Sequence, residues 1–314
     1  MLTTIKNVKK NSSHILWVLM QQIVAKSILS LKFLLMARLL GPEKIGLFGV
    51  ATVVLSIIEG VTELGLNQAI VQTKKDIDFK SYNIVWTLQL VRGLIISSVL
   101  FLGSFLVIKG FSLNYPIFLF MLLSMIPLVR GFTNIGVAEA TRNLNFKPIA
   151  FLQIYVLIFD IILTIIFLFK NNDVESVILA MVLAESLKVF LSYIMFRNLS
   201  GFNVKFKEIK DLISYGKWIL FNSMLNVVSN QIDKLYTTIF LGVTQLGIYQ
   251  VSFKVAQFGL ADLATAFSQY LFPKLSNRFR EGTDKAYRFF NESLRIITIF
   301  AIATFTFLWL NMNF

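Results

Sequence analysis

The chain has no cysteine. Disulfides, thiolate metal sites and iron–sulfur clusters are therefore excluded, and the redox compartment is not legible from thiol usage. Histidine is nearly absent as well. The single one, His14, sits at the N-terminal edge of the first apolar segment, where an interfacial role fits better than metal ligation, which takes a cluster of ligands. No glycine-rich run ends in Lys-Ser or Lys-Thr, so no phosphate-cradling nucleotide loop is present, and no His-Glu-x-x-His helix offers a metal. Charge is scarce too: 15% of residues are charged, against about 25% in soluble domains. What fills the chain instead is apolar, at 56% hydrophobic residues and a mean hydropathy of +0.71 over 314 residues. That composition excludes a water-soluble globule and makes the protein an all-α, polytopic membrane protein. The apolar run from about His14 to Leu40 is too long for a signal peptide and reads as an anchor.

A turn motif occurs twice. Leu40-Gly41-Pro42-Glu43-Lys44-Ile45-Gly46-Leu47-Phe48-Gly49-Val50-Ala51 returns 201 residues later as Leu241-Gly242-Val243-Thr244-Gln245-Leu246-Gly247-Ile248-Tyr249-Gln250-Val251-Ser252. Each copy joins one long apolar segment to another, so the repeated unit is a helical hairpin with a glycine-punctuated turn. A duplicated hairpin in a membrane chain points to two related lobes, an architecture in which transporters bind cargo between repeats.

Nine segments reach the roughly 20 apolar residues that a spanning helix needs: 14–40, 45–71, 81–108, 115–137, 148–169, 176–197, 211–241, 245–273 and 286–310. Pro116 and Pro148 suit first helical positions, and Pro127 is expected to kink the fourth segment. The segments divide into an N-terminal lobe of six helices, residues 1–200, and a partial C-terminal lobe of three, residues 201–314.

Lys and Arg alternate along the connections. Lys6, Lys9, Lys10, Lys74, Lys75, Lys80, Arg142, Lys147, Arg197, Lys205, Lys207, Lys210, Lys274, Arg278, Arg280, Lys285 and Arg288 fall on one side, against Arg38, Lys44, Lys109 and Lys170 on the other. The positive-inside rule then puts the N-terminus in the cytoplasm and the turns at Gly41 and Gly242 outside. It also accounts for the net charge of +13 through basic loops facing anionic membrane lipids, without nucleic acid.

A charge at mid-span costs about 2.5–3.5 kcal/mol even on insertion scales, which singles out the intramembrane ionisable residues. Glu185 with Lys188 and Glu292 with Arg295 lie three apart and can neutralise each other. Lys32, Arg130 and Lys217 lie within a few turns of predicted helix ends and are expected to snorkel. Lys26, Glu59, Glu63, Arg92, Asp160, Asp233, Lys254 and Asp262 lack such local explanations and are expected to face protein or water. Helical spacing aligns Asn222, Asn226, Asn230, Asp233 and Thr237 on one face of the seventh segment. It aligns Gln250, Lys254, Gln257, Ala261, Thr265 and Ser268 on the eighth, Gln22, Lys26 and Ser30 on the first, and Glu59 with Glu63 on the second. Two readings stand: a water-filled cavity between lobes, or interhelical hydrogen bonds worth about 0.6–2 kcal/mol each that merely hold helices together. Glu59 with Glu63, or Asp160 with Glu185, is the only pairing that resembles glycosyl-transfer chemistry. With no metal motif, and with connections of only about a dozen residues, a transporter fits better than an enzyme.

Met36-Ala37-Arg38-Leu39-Leu40-Gly41-Pro42-Glu43-Lys44-Ile45-Gly46-Leu47-Phe48 and Glu63-Leu64-Gly65-Leu66-Asn67-Gln68-Ala69-Ile70-Val71-Gln72 resemble the first hairpin of Wzx-type oligosaccharide flippases. Tyr215-Gly216-Lys217, Gln231-Ile232-Asp233-Lys234-Leu235 and Leu241 to Tyr249 resemble the start of their second lobe. These flippases belong to the multidrug, oligosaccharidyl-lipid and polysaccharide (MOP) exporter superfamily. The resemblance implies a MATE-like two-lobe bundle with an incomplete second lobe, since members usually carry six helices per lobe, so the chain is expected to be a short or truncated form. It implies translocation of an undecaprenyl-diphosphate-linked oligosaccharide across the bacterial cytoplasmic (inner) membrane for O-antigen, capsule or exopolysaccharide, with polysaccharide polymerase and chain-length-control proteins as partners. A multidrug or other lipid-linked-precursor exporter of the same fold is the alternative.

For that anionic, hydroxyl-rich cargo Lys26, Arg92 and Lys254 are the candidate head-group cations, with Asn226, Asn230 and Gln257 as hydrogen-bonding groups. Glu59, Glu63, Asp160 and Asp233 are candidates for coupling a proton or sodium ion, or for ion pairs with a neighbouring helix. No cofactor and no metal are implied.

Overall fold

The computed structural model describes residues 2–63, 65–66, 70, 79–110, 117–197, 200–203, 206–257, 275, 278 and 282–310. Helix α1 (Leu2–Val61) contains both arms of the first hairpin and breaks at Gly41, whose φ of 77° and ψ of 171° are not helical. Pro42 follows at the start of the second arm, where a missing N–H costs little. Then come α2 (Phe79–Gly110), α3 (Phe118–Gly131), α4 (Gly136–Arg142), α5 (Phe146–Asn171), α6 (Val174–Met195) and α7 (Phe206–Tyr236). A π turn (Thr237–Leu241) closes α7, and α8 (Val243–Ala256) and α9 (Thr283–Leu310) complete the described helices. Among the described residues there is no strand.

By length and composition four of these helices can cross a membrane, or five if the bent α3–α4 pair counts as one span. The stretch from Val24 to Val61, 38 residues, is nearly twice what a single crossing needs, and Gly41 divides it near the middle. The expected eighth span leaves the described residues after Gln257, and Lys74, Lys75, Pro116 and Asp262 also lie outside them.

One expectation is corrected. The segment 115–137 is not one helix: it breaks at Phe132–Ile135 and turns by 59° into α4. The turning point lies beyond Pro127, which sits inside continuous α3. Its cause is Asn134, buried at 1% exposure. The Asn134 amide accepts from Gly136 N at 2.8 Å and from Ser200 Oγ at 3.3 Å, while its Nδ2 donates to the Ser192 carbonyl at 3.3 Å. Its own N–H donates to Ser192 Oγ at 3.1 Å. Backbone groups released by the break are thus satisfied by neighbouring protein, the condition under which a helix can break inside an apolar bundle.

Local signals fix other turns. Asn172 takes a left-handed conformation (φ 45°, ψ 48°) and ends α5, and Asp173 caps α6 by accepting from Ser176 N at 2.8 Å.

The repeat seen in sequence is also a repeat in backbone geometry. Gly242, at φ 90° and ψ 170°, matches Gly41, and only glycine adopts that conformation without strain. The two motifs meet each other reciprocally. A Cβ on Gly46 would lie 1.8 Å from the Val243 carbonyl oxygen, and a Cβ on Gly247 would lie 1.8 Å from the Pro42 carbonyl oxygen. Each glycine packs on the residue that follows the turn glycine of the other copy, so the pair is related by local two-fold symmetry. Leu246 carries the contact inward and is fully buried in a cluster with Leu47, Val50, Leu55, Leu100, Leu123 and Ile178. With lipid tails as apolar as leucine, such a cluster is held by close packing rather than by exclusion of water.

Contacts divide the chain into Met1–Gln250 and Val251–Phe314. In the second unit, α9 buries Ala286 and Ser293.

Candidate functional site

Within the first unit, α2 and α3 approach backbone to backbone. A Cβ on Gly93 would lie 2.6 Å from the Pro127 carbonyl, and one on Gly131 would lie 3.2 Å from Leu90 Cα. Small residues at both contact points permit this distance. Each follows an arginine, so the same contact brings Arg92 and Arg130 into one cavity of about 600 Å³.

That cavity is bounded by Ile96 of the first apolar cluster and by Leu66, Ile135 and Ala138 of a second. Its polar lining is dense: Glu59 and Glu63 from α1 and the residues after it, Gln89 and Arg92 from α2, Arg130 from α3, Asn134 from the break, Thr141 from α4 and Lys188 from α6. The charges are paired. Arg92 Nη2 lies 2.8 Å from Glu63 Oε2 and donates to the Glu59 carbonyl at 2.8 Å. Arg130 Nη1 lies 2.8 Å from Glu59 Oε1, and its Nη2 lies 2.8 Å from Glu185 Oε1. Lys188 Nζ reaches Glu185 Oε2 at 3.0 Å. Glu63 Oε1 also accepts from Gly65 N at 3.0 Å, which fixes the chain where α1 ends. Arg130 holds carboxylates from two other helices and Arg92 holds Glu63 just past the end of α1, using the forked donors that make arginine suited to planar oxyanions. Such an arrangement can exchange a protein carboxylate for a phosphate of the same geometry.

Of the ten candidates named from sequence, Glu59, Glu63 and Arg92 come together here. The other candidates lie elsewhere. Asp160, on α5, pairs with Lys32, on α1, through Nζ–Oδ2 and Nζ–Oδ1 distances of 2.6 and 2.7 Å. Asp233 accepts a hydrogen bond from Tyr249 Oη, and its Oδ1 is buried without a hydrogen-bond partner among the described residues. Asn226 and Asn230 are exposed on α7, where Asn230 Nδ2 donates to the Asn226 carbonyl at 2.7 Å. Lys26 is half-buried on α1. Lys254 and Gln257 belong to the second unit, where Lys254 Nζ donates to Gln257 Oε1 at 3.3 Å.

Lys32 and Arg130 do not snorkel. Lys32 is 6% exposed and neutralised by Asp160, and Arg130 turns into the cavity. The pairing of Glu185 with Lys188 was legible from their spacing. Its extension to Arg130 depends on α3 packing against α6, which sequence spacing does not carry. The Arg-Gly dipeptides at 92–93 and 130–131 were the available signal, a cation beside a residue that lets helices touch.

Similar proteins include an uncharacterized membrane protein in the cps region of Klebsiella pneumoniae, 22% identical over 249 residues, which are 78% of this chain and 51% of that protein. Another is the lipopolysaccharide biosynthesis protein WzxC of Escherichia coli (strain K12), 20% identical over 275 residues, 84% of this chain and 54% of that protein. The chain thus spans about half the length of the curated relatives it matches. Among solved structures, an inward-facing multidrug resistance MATE family transporter of the MOP superfamily superposes with a TM-score of 0.62 at 14% identity, covering 93% of this chain and 70% of that one. The helical bundle therefore has the MATE transporter fold. The model of the family described as "Polysaccharide biosynthesis protein" matches residues 35–312, and the chain belongs to that family.

Proposed function

We propose that the protein translocates undecaprenyl-diphosphate-linked oligosaccharide units from the inner to the outer leaflet of the bacterial cytoplasmic membrane, as a secondary transporter and not an enzyme. The polymer served is O-antigen, capsule or another exopolysaccharide. The observation that carries this reading is the cavity holding Arg92 and Arg130 inside a largely apolar bundle. A sugar diphosphate needs cationic and hydrogen-bonding groups where the membrane offers neither, and Gln89, Asn134 and Thr141 stand beside the guanidiniums. The names of the relatives, drawn from lipopolysaccharide biosynthesis and a capsule region, support the same cargo class.

The distribution of Lys and Arg supports a cytoplasmic N-terminus, with the Gly41 and Gly242 turns on the outer side. In that orientation the meeting of Gly46 with Val243 and of Gly247 with Pro42 closes the outer end between the two hairpins, so cargo enters from the cytoplasm. Lys26, Lys254, Asn226, Asn230 and Gln257 are proposed to serve the sugar and lipid along the route, and polymerase and chain-length-control proteins to act on the product.

Deleting the gene is the test. Lipid-linked repeat units should accumulate on the cytoplasmic side and surface polysaccharide should disappear, both reversed by the wild-type gene but not by Arg92→Ala with Arg130→Ala. Unchanged polysaccharide together with new sensitivity to cationic dyes would instead make the protein a drug exporter of the same fold.

A further inference from the structure

The turn between α4 and α5 carries a residue that its backbone does not favour. Of the described residues other than glycine, two take a positive φ: Asn172 at 45° and Leu144 at 56°. Asparagine is at home in the left-handed region, and leucine is not. Leu144 occupies the left-handed position of a Schellman cap: its N–H donates to the Thr141 carbonyl at 3.0 Å, and that of Asn145 donates to the Ala140 carbonyl at 2.8 Å. Glycine usually takes that position, and asparagine sometimes does. Asparagine stands on either side of it, at 143 and 145. Nor does the fold bury the leucine in exchange, because it is 52% exposed. A residue costly to the backbone and half outside the protein has its use in what its side chain meets beyond this chain.

We propose that the α4–α5 turn is a docking site for anionic phospholipid, with Leu144 inserted at the boundary between head groups and acyl chains and Lys147 and Arg197 on the phosphates. The depth follows from α5. Its 26 residues extend about 39 Å at about 1.5 Å per residue, against a hydrocarbon thickness of about 30 Å. A centred helix therefore begins about 4–5 Å outside the hydrocarbon. Leu144, two residues earlier, lies at head-group level with the acyl boundary just below it. Along the same helix Tyr155, Ile158, Ile162, Ile166 and Phe169 are exposed at helical spacing, an apolar stripe suited to lipid.

Charge selects the lipid. From Arg142 to Lys147 the turn holds two cations and no acid. Arg142 hydrogen-bonds Tyr82 on α2 and sits there with Glu139, the acid of α4, so this pair is spent within the protein. Lys147 and Arg197 are exposed, one at each end of α4. The Arg197 carbonyl lies against the first residue of that helix, where a Cβ on Gly136 would be 2.4 Å from it. An anionic phospholipid supplies a phosphate for the cations and acyl carbon for the leucine, while a zwitterionic one has no net charge for the cations to attract. Helix α4 also places Ala138 and Thr141 in the cavity wall, so docking its end on the leaflet fixes the height of that wall in the membrane.

Because the chain has no cysteine, Leu144→Cys gives one attachment point for an environment-sensitive fluorophore on the full chain. In nanodiscs of phosphatidylcholine the emission should be blue-shifted, shielded from aqueous iodide, and quenched by lipids spin-labelled near the top of the acyl chain. Adding phosphatidylglycerol should increase all three effects, and high salt should reverse that increase. Emission that stays water-like in both bilayers overturns the docking, and insertion that ignores phosphatidylglycerol overturns the choice of an anionic lipid. An unlabelled variant guards against a perturbing probe. Leu144→Asn suits the left-handed backbone, so in detergent it should melt no lower than the wild type. Phosphatidylglycerol should then raise the melting temperature of the wild type more than that of the variant. A variant that melts clearly lower in detergent makes Leu144 a packing residue and overturns the proposal. Lys147→Gln combined with Arg197→Gln should abolish the response to phosphatidylglycerol while insertion into phosphatidylcholine remains; a response that survives overturns the role of these two cations.

Discussion

Two ion networks lie within one bundle, and they differ in kind. Lys32 and Asp160 form a closed pair between α1 and α5, with side chains 8% and 11% exposed. Arg92, Arg130 and their carboxylates form an open one, with side chains between 15% and 36% exposed, around a cavity of about 600 Å³. The closed pair has no room for a third party, so its work is to join two helices. The open network has space beside Glu59, Glu63, Arg92, Arg130 and Lys188, so its pairs can be exchanged. Charge inside a membrane protein is thus not by itself a sign of a binding site; charge next to unfilled space is.

Breaking the closed pair should have the largest effect. Lys32→Ala leaves a buried carboxylate without its cation and is expected to cost about 3–5 kcal/mol, read as a fall in thermal stability in detergent. Lys32→Met combined with Asp160→Leu should recover most of that loss, because an apolar pair of similar volume avoids the desolvation cost. Failure of the double variant to recover would mean that the pair does more than join helices.

Next in size is Gly247→Val, which places a side chain against the Pro42 carbonyl. Forcing the two hairpins apart should cost about 1–3 kcal/mol and abolish export, measured as surface polysaccharide at matched protein level. Arg130→Ala tests the open network. Partly exposed pairs contribute about 0.2–1 kcal/mol, so melting should barely move while export falls tenfold or more; a large drop in stability would make Arg130 another helix joiner. Lys188→Ala should be the mildest. Its half-buried i,i+3 pair with Glu185 is worth a few tenths of a kcal/mol, and export should stay within about twofold of wild type, because Arg130 still holds Glu185.

Much of this was legible in the amino-acid order. The helical hairpins follow from long apolar runs punctuated by Gly41 and Gly242, because glycine alone tolerates the backbone angles required there. Glu59, Glu63 and Arg92 stood out because nothing local neutralises them, and the structure places all three in the cavity. The break at Phe132–Ile135 was hidden, since Asn134 acts through Ser192 and Ser200, far along the chain. Pro127 drew attention as the stronger local signal, but the break lies one turn beyond it. Arg130 and Lys32 were misread for a related reason. Distance from a helix end governs snorkelling only if no acid on another helix is closer, and Glu59, Glu185 and Asp160 are.

The reciprocal fit of Gly46 on Val243 and of Gly247 on Pro42 makes the two copies of the turn a lock whose halves cut each other's keys. A bulkier residue in one copy collides with the main chain of the other, which no rotamer change relieves. Exchanging the whole motif between the two sites preserves the joint, while altering a single copy spoils it.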